Sequence, residues 1–232
     1  MRTLSSADFL DLWERGFRLH PIDQGLLALS AALSGTPYDS LADWPLGRRN
    51  RALAELRCGC FGPQLQGWTS CPQCAEKLEF QMDTRAIIEQ EPASTETVAA
   101  GGHSFRLPTS RDLARSIREP DSREAAHRLL ASCCLDEAPP RWTDDELEQI
   151  GESMAVADPL SETRLTLDCP NCGNRWDETL ELAAFLCAEI EARARRLLLD
   201  IHTLASAYGW TETEILSLTD RRRAAYLEMV RA

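Results

Sequence analysis

Cys71-Pro-Gln-Cys74-Ala-Glu-Lys-Leu-Glu-Phe80 and Cys169-Pro-Asn-Cys172-Gly-Asn-Arg-Trp-Asp-Glu178 are the two stretches on which the reading of this chain turns. Laid over one another, Cys, Pro and Cys coincide. Lys77 then meets Arg175, Leu78 meets Trp176 and Glu79 meets Asp177, and further on Ile87 and Ile88 fall opposite Phe185 and Leu186. Each half reads as a knuckle, a short strand and a helix. A two-residue gap lets both sulfurs of a hook face one ion, and two hooks supply the four thiolates of a tetrahedral zinc site. Gly173 follows the second hook, where a knuckle turn favours a residue tolerant of positive φ. The hooks stand 98 residues apart, so the expectation is one zinc ribbon split by a long insertion.

The expected ligands are Cys71, Cys74, Cys169 and Cys172 around Zn2+. With all four positions filled by protein, the site is structural, without an open position for catalysis. Other arrangements stay open. Each hook could hold half of a dimeric site, or Cys58 and Cys60 could replace one pair. A thioredoxin-like redox pair would need a βαβ context, and the sequence offers none. The chain holds nine cysteines. That odd number, with no signal peptide in sight, argues against a disulfide framework. Cys133, Cys134 and Cys187 sit in apolar runs and read as buried small hydrophobes.

The rest of the composition narrows the class. At 232 residues the chain can bury one good core or two small ones. Its net charge of −12 disfavours general binding to phosphate backbones or anionic lipid. No apolar run approaches the ~18–20 residues of a membrane span, and the start lacks a signal peptide's apolar core. A cytosolic location is expected. Lys77 is the only lysine, a bias that a GC-rich genome explains by its codons.

Periodicity and caps place the segments. Ser6 or Asp8 is expected to cap a first helix carrying Phe9, Leu10 and Trp13. Pro21 opens a second, ended by Gly35-Thr36-Pro37, and Pro45 begins a third. The third carries Arg48, Arg49 and Arg51, read as a solvated face or a partner contact. Residues 92–108, rich in small and polar residues, read as a flexible connection. Residues 109–160 read as a helical insertion, with capping boxes at Asp121–Glu124 and Thr143–Glu146. Residues 163–167 alternate like a strand. Residues 181–208 step Leu182, Leu186, Ile190, Ala194, Leu197, Ile201, Leu204 as one long helix, with Gly209 at its C-cap. Two short helices follow, opened by Thr211 and Thr219. The fold class is thus mainly α with a small split zinc-ribbon β element. Its regions are N-terminal helices (1–57), first knuckle (58–91), linker and helical insertion (92–164), second knuckle (165–182) and C-terminal helices (183–232).

No glycine-rich phosphate loop, Gly-x-Ser-x-Gly elbow or His-Glu-x-x-His pair is present, and His20, His103, His127 and His202 are scattered. A non-enzymatic protein is expected. Arg221, Arg222 and Arg223 beside Tyr208, Trp210 and Tyr226 invite either a partner surface, since aromatics and arginine anchor interfaces, or a local helical core. Seven acids cancel seven arginines between Phe185 and Ala232, which is weak support for DNA binding.

Several blocks together resemble a family of baseplate proteins, or baseplate hub assembly chaperones, of contractile phage tails and contractile injection systems. They are Pro45-Leu-Gly-Arg-Arg-Asn50 with Leu56-Arg57 and Phe61-Gly62, the first hook with Leu78-Glu79-Phe80, and Phe105-Arg-Leu-Pro-Thr-Ser-Arg-Asp-Leu113. Asp158-Pro159-Leu160, the second hook with Gly173 and Trp176, and Ile201-His-Thr-Leu-Ala-Ser-Ala-Tyr-Gly-Trp210 with Glu214-Ile-Leu216 and Arg221–Tyr226 complete them. They span about residues 45–230, and the C-terminal block is the most specific. Cys58-Gly-Cys60 departs from the family pattern. The resemblance implies a structural or assembly role in the baseplate, with other baseplate, spike or tube proteins as partners. It places the chain in the cytoplasm during assembly, or in the finished particle. The rival class is a zinc-ribbon regulator that binds nucleic acid.

Overall fold

The computed structural model describes residues 1–91, 93, 95–136 and 141–231. Within them the chain is mainly helical, with eleven helices and three separate two-stranded antiparallel hairpins. Parts of the expected linker and insertion, residues 92, 94 and 137–140, and the terminal residue 232 lie outside the described residues.

Four helices come first. Helix α1 (Ser6–Gly16) is capped by Ser5, one residue before the expected cap, with Asp8 returning its carboxylate to the Ser5 N–H. Helix α2 (Pro21–Ala32) starts on the expected proline. A five-residue helix α3 (Tyr38–Ala42), not expected from periodicity because it is barely one turn, precedes α4 (Leu46–Phe61). Strands β1 (Gln64–Ser70) and β2 (Lys77–Asp83) form the first hairpin, followed by the single turn α5 (Arg85–Ile88).

The expected flexible connection is instead partly a second hairpin, β3 (Thr97–Ala100) and β4 (His103–Arg106). Gly101 and Gly102 are its turn, with φ of 57° and 79°. Two successive positive φ values suit a tight hairpin turn, so glycine here encodes structure rather than slack. Helices α6 (Ser110–Ser116), α7 (Ser122–Cys133) and α8 (Asp144–Ala157) follow, capped by Thr109, Asp121 and Thr143. Phe105, Leu130, Cys133, Trp142, Ile150 and Met154 close a small core of their own in this insertion.

The third hairpin, β5 (Arg164–Asp168) and β6 (Arg175–Thr179), leads into α9 (Leu182–Tyr208), the spine of the molecule. Helices α1, α2, α4, α10 (Glu212–Ser217) and α11 (Asp220–Arg231) all pack on α9. Its buried residues are Leu182, Ala183, Leu186, Ile190, Ala194, Leu197, Asp200, Ile201 and Leu204, the expected stripe with one acid in it. Burial of such a leucine or isoleucine contributes about 1.5–3 kcal/mol, so this stripe outweighs any local propensity in fixing a helix this long. None of the helices, among the described residues, is long and apolar enough to cross a membrane.

Polar side chains dock the insertion onto the main body. Asp158, buried at the end of α8, accepts the Gly47 N–H at 2.8 Å, capping the first turn of α4 from 111 residues away. Asn50 donates to the carbonyls of Leu160 and Ser161, and Arg49 reaches Ser110. The arginine cluster of α4 therefore does not form one face. Arg49 is buried, Arg51 pairs with Glu55, and the exposed Arg48 lies over Trp44.

Candidate metal centre

Each hook sits at the tip of a hairpin. In the first, Ser70 pairs with Lys77 at the end of the ladder; in the second, Asp168 pairs with Arg175. The turns between share the same two backbone hydrogen bonds. The Cys71 N–H donates to the Glu76 carbonyl, and the Cys71 carbonyl accepts the Ala75 N–H. The Cys169 N–H donates to the Asn174 carbonyl, and its own carbonyl accepts from Gly173. Ala75 and Gly173 occupy the same left-handed position, with φ of 60° and 74°. Alanine, lacking glycine's freedom there, carries strain that the turn must hold.

The tips meet. Cys71 Sγ lies 3.6 Å from Cys172 Sγ, and Cys74 Sγ lies 3.6 Å from Cys169 Sγ. All four sulfurs fall within 4.8 Å of one another. Four sulfurs about 2.3 Å from a central ion stand about 3.8 Å apart in a regular tetrahedron. The cluster has the size of such a site, and its four soft donors suit zinc or a similar thiophilic ion. Cys71 and Cys169 are buried and Cys172 is exposed, so the site is closed on the protein side and open at one edge. Burial opposes ionisation of Cys71, but the N–H groups of Cys74 and Gln73 and the neighbouring thiols outweigh it and set its pKa at about 6. The Asn174 N–H favours the Cys172 thiolate, yet burial and the other three sulfurs push that group up to about 12. Of these two thiols, Cys71 is the readier to ionise.

Packing behind the hairpins holds the tips in register. Arg57, buried at the end of α4, donates two hydrogen bonds to the Glu189 carboxylate of α9 and one each to the carbonyls of Gly62 and Gln64. One guanidinium so fixes the start of β1 to the long helix. Phe80 of β2 meets Phe185 of α9 edge-on at 6.0 Å. Thr69 donates to Glu178 across the two hairpins. Sequence pattern misses this clamp, because an arginine and a glutamate 132 residues apart carry no local signal.

Cys58 and Cys60 lie outside the cluster, in the last turn of α4, and Cys60 accepts the Leu4 N–H. Cys133 is buried and Cys187 half-buried, and burial pushes their thiols up to about 11 and about 12. Cys134 and Cys187 depart from the expected fully buried role: both are half-buried, and Cys134 lies beside His103 and Asp136.

The C-terminal block divides. Tyr208, Trp210 and Tyr226 form one aromatic cluster, with Tyr208 stacked on Trp210 at 4.7 Å and Trp210 edge-on to Tyr226 at 4.8 Å. Arg221 and Arg222 are exposed. Arg223 is not part of that surface: it is 2% exposed, bonded to Asp220 and Ser6 and 3.7 Å from Asp200. A run of three arginines on a helix cannot share a face, and the third points into the α9 contact. His202 is exposed on α9.

Comparison of the chain with family models, with curated proteins and with solved structures gives no match.

Proposed function

We propose that the four-cysteine cluster holds a structural zinc ion, that the two hairpins form one zinc ribbon split by the insertion, and that the chain acts without catalysis in building a baseplate of a contractile tail or injection system. The observation that carries the metal reading is the meeting of two equivalent hooks, 98 residues apart in sequence, at sulfur separations of 3.6 Å. The family resemblance of the quoted sequence blocks carries the baseplate reading. The ion would tie the start of the insertion to its end and hold the surrounding helices as a scaffold for partners. Its thiolates leave no open position for substrate. The exposed arginines Arg221 and Arg222, beside half-buried Trp210 and Tyr226, are the proposed contact for baseplate, spike or tube proteins.

Two measurements test this. Metal analysis of the folded, purified protein is expected to give about one zinc per chain, and a folded protein without zinc refutes the ribbon. The tagged protein, expressed with its whole native gene cluster, is expected to co-purify baseplate, spike or tube proteins. Arg221→Glu with Arg222→Glu should abolish that recovery without unfolding the chain. Recovery of nucleic acid in a salt-dependent manner, or of nothing, would instead favour the zinc-ribbon regulator.

A further inference from the structure

We propose that His103, Cys134 and Asp136 form a second metal site, for a divalent ion of the zinc group, with one coordination position left to water. The site is separate from the four-cysteine cluster and does not rest on it.

The three side chains come together for a reason visible in the backbone. Helix α7 ends at Cys133, and Cys134 is extended, with φ −64° and ψ 132°. The chain then runs antiparallel along β4, with Phe105 paired to Cys134 and the Leu135 N–H bonded to the Ser104 carbonyl. Residues two apart on an extended segment share a face, which puts Cys134 and Asp136 on one side. Continuing the same register by two residues sets His103 opposite Asp136. The result is one donor from β4 and two from the strand-like segment beside it.

As the structure stands, hydrogen bonds to one Asp136 carboxylate oxygen gather the three side chains, and this brings their donor atoms within reach of a single ion. His103 Nδ1 is 2.8 Å from Asp136 Oδ2, and Cys134 Sγ is 3.8 Å from the same oxygen. The three ligand atoms all lie within 4.8 Å of one another. Nitrogen and oxygen at about 2.0–2.1 Å and sulfur at about 2.3 Å from a tetrahedral ion stand roughly 3.3–3.6 Å apart, so small side-chain rotations suffice. The surroundings restrict the ring. His103 meets Phe105 edge-on at 6.4 Å and Trp142 at 6.3 Å, and the Ser104 N–H donates to the Asp136 carboxylate. Such outer partners orient ligands. His103 and Asp136 keep 31% and 44% of their side chains exposed, which leaves an entry path.

Donor chemistry selects the ion. Imidazole, thiolate and carboxylate together suit zinc, cobalt or nickel and disfavour magnesium and calcium. Neutral imidazole with two anions gives −2, which a divalent ion cancels. On binding, the Cys134 thiol releases its proton to solvent, and His103 carries its ring proton on Nε2, freeing Nδ1. Three protein ligands with a water in the fourth place is the composition of an open site, unlike the closed set of the cysteine cluster.

The test uses the full chain as purified under reducing conditions, with Co2+ as the probe. Expected is about one equivalent of Co2+ beyond the metal already held, with a near-ultraviolet sulfur-to-cobalt band of one thiolate. Cys134→Ser should remove that band and His103→Ala the extra equivalent. Asp136→Asn should weaken binding by more than the roughly 10–100-fold that loss of an outer-shell partner costs. Cys134→Ala and His103→Gln serve if a first variant fails to fold by circular dichroism. Wild-type protein that takes up no extra equivalent overturns the proposal. So does Co2+ uptake that is equal in the parent and in both variants. Each difference is read against the same parent protein, so an empty four-cysteine cluster would refute the zinc ribbon and leave the result at this second site unchanged.

Discussion

The two knuckles are one object built twice, yet the chain leaves them in different ways. The first hairpin ends in the four-residue turn α5, whereas the second runs into the 27 residues of α9. Ligand spacing, the left-handed fifth residue and the first ladder pair all recur at the same interval. What differs is the apolar pattern downstream. After Ile87 and Ile88 the sequence turns to Glu89, Gln90, Glu91 and Pro92, while after Leu182 the stripe continues to Leu204. A knuckle is thus specified by a handful of local residues, and helix length by whether a buried stripe persists.

The largest effect that could break the comparison concerns the ion. If both knuckles serve one ion, Cys71→Ser and Cys169→Ser should each abolish metal binding at the four-cysteine cluster and lower the melting temperature alike. Apparent zinc-binding energies of about 10–16 kcal/mol in small fingers indicate how much stability is at stake. Retention of half the metal in either variant, read by elemental analysis in a Cys134→Ser background so that the second proposed site does not contribute, would mean that the hooks hold separate ions.

Next in size is Arg223, the buried member of the arginine triplet in the second half. Arg223 is enclosed between α9 and α11, 3.7 Å from the buried Asp200, while its other partner, Asp220, is exposed and also pairs with Arg193. Removing one partner of a buried ion pair costs about 3–5 kcal/mol, because the remaining charge stays uncompensated. Arg223→Ala should therefore shift the denaturation midpoint strongly, whereas Arg222→Ala on the exposed side should stay within about 0.5 kcal/mol of the parent. Equal shifts would place both arginines in the same environment.

These contrasts also separate what is legible in the sequence from what is not. Helices α6 to α11 are legible, because Thr143 and Thr211 announce reciprocal caps and α9 carries an unbroken stripe. The four-cysteine cluster is legible because two Cys-x-x-Cys hooks in matching surroundings stand out at fixed spacing, whatever the local propensity. Strand β1 gives no such signal: its burial alternates, but the inward face carries Leu65, Gly67 and Thr69 while Trp68 turns outward, so the apolar residues do not alternate. The β3–β4 hairpin hides in a composition that suits loops equally well, with two glycines as its only mark. The Arg57–Glu189 clamp, the burial of Arg223 and the approach of Cys134 to His103 depend on pairing distant segments, which no single window contains.

A third effect tests how each hairpin meets α9. Gly67 pairs with Phe80, and a Cβ there would press into the Phe80 ring and touch Phe185. The equivalent strand position in the second hairpin is Leu165, opposite Glu178 rather than an aromatic residue. Gly67→Ala should cost about 1–3 kcal/mol, the range for overpacking, and disturb the Phe80–Phe185 contact. A neutral substitution, measured by urea denaturation, would show that Phe80 can move aside.

The smallest and sharpest effect lies at the left-handed residue. Nothing stands within 4 Å of a Cβ built on Gly173, so Gly173→Ala meets only backbone strain. Left-handed φ costs a non-glycine residue about 1–2 kcal/mol, and the loss of unfolded-chain freedom returns about 0.4–1 kcal/mol. The net should be a destabilisation of roughly 0.5–1 kcal/mol. Ala75 already bears that strain at φ 60°, so Ala75→Gly should stabilise by a similar amount. The two single variants, measured with metal bound, should therefore shift the midpoint in opposite directions, and the double variant should return near the parent. Shifts of the same sign would show that the two turns, alike in hydrogen bonding, are not alike in strain.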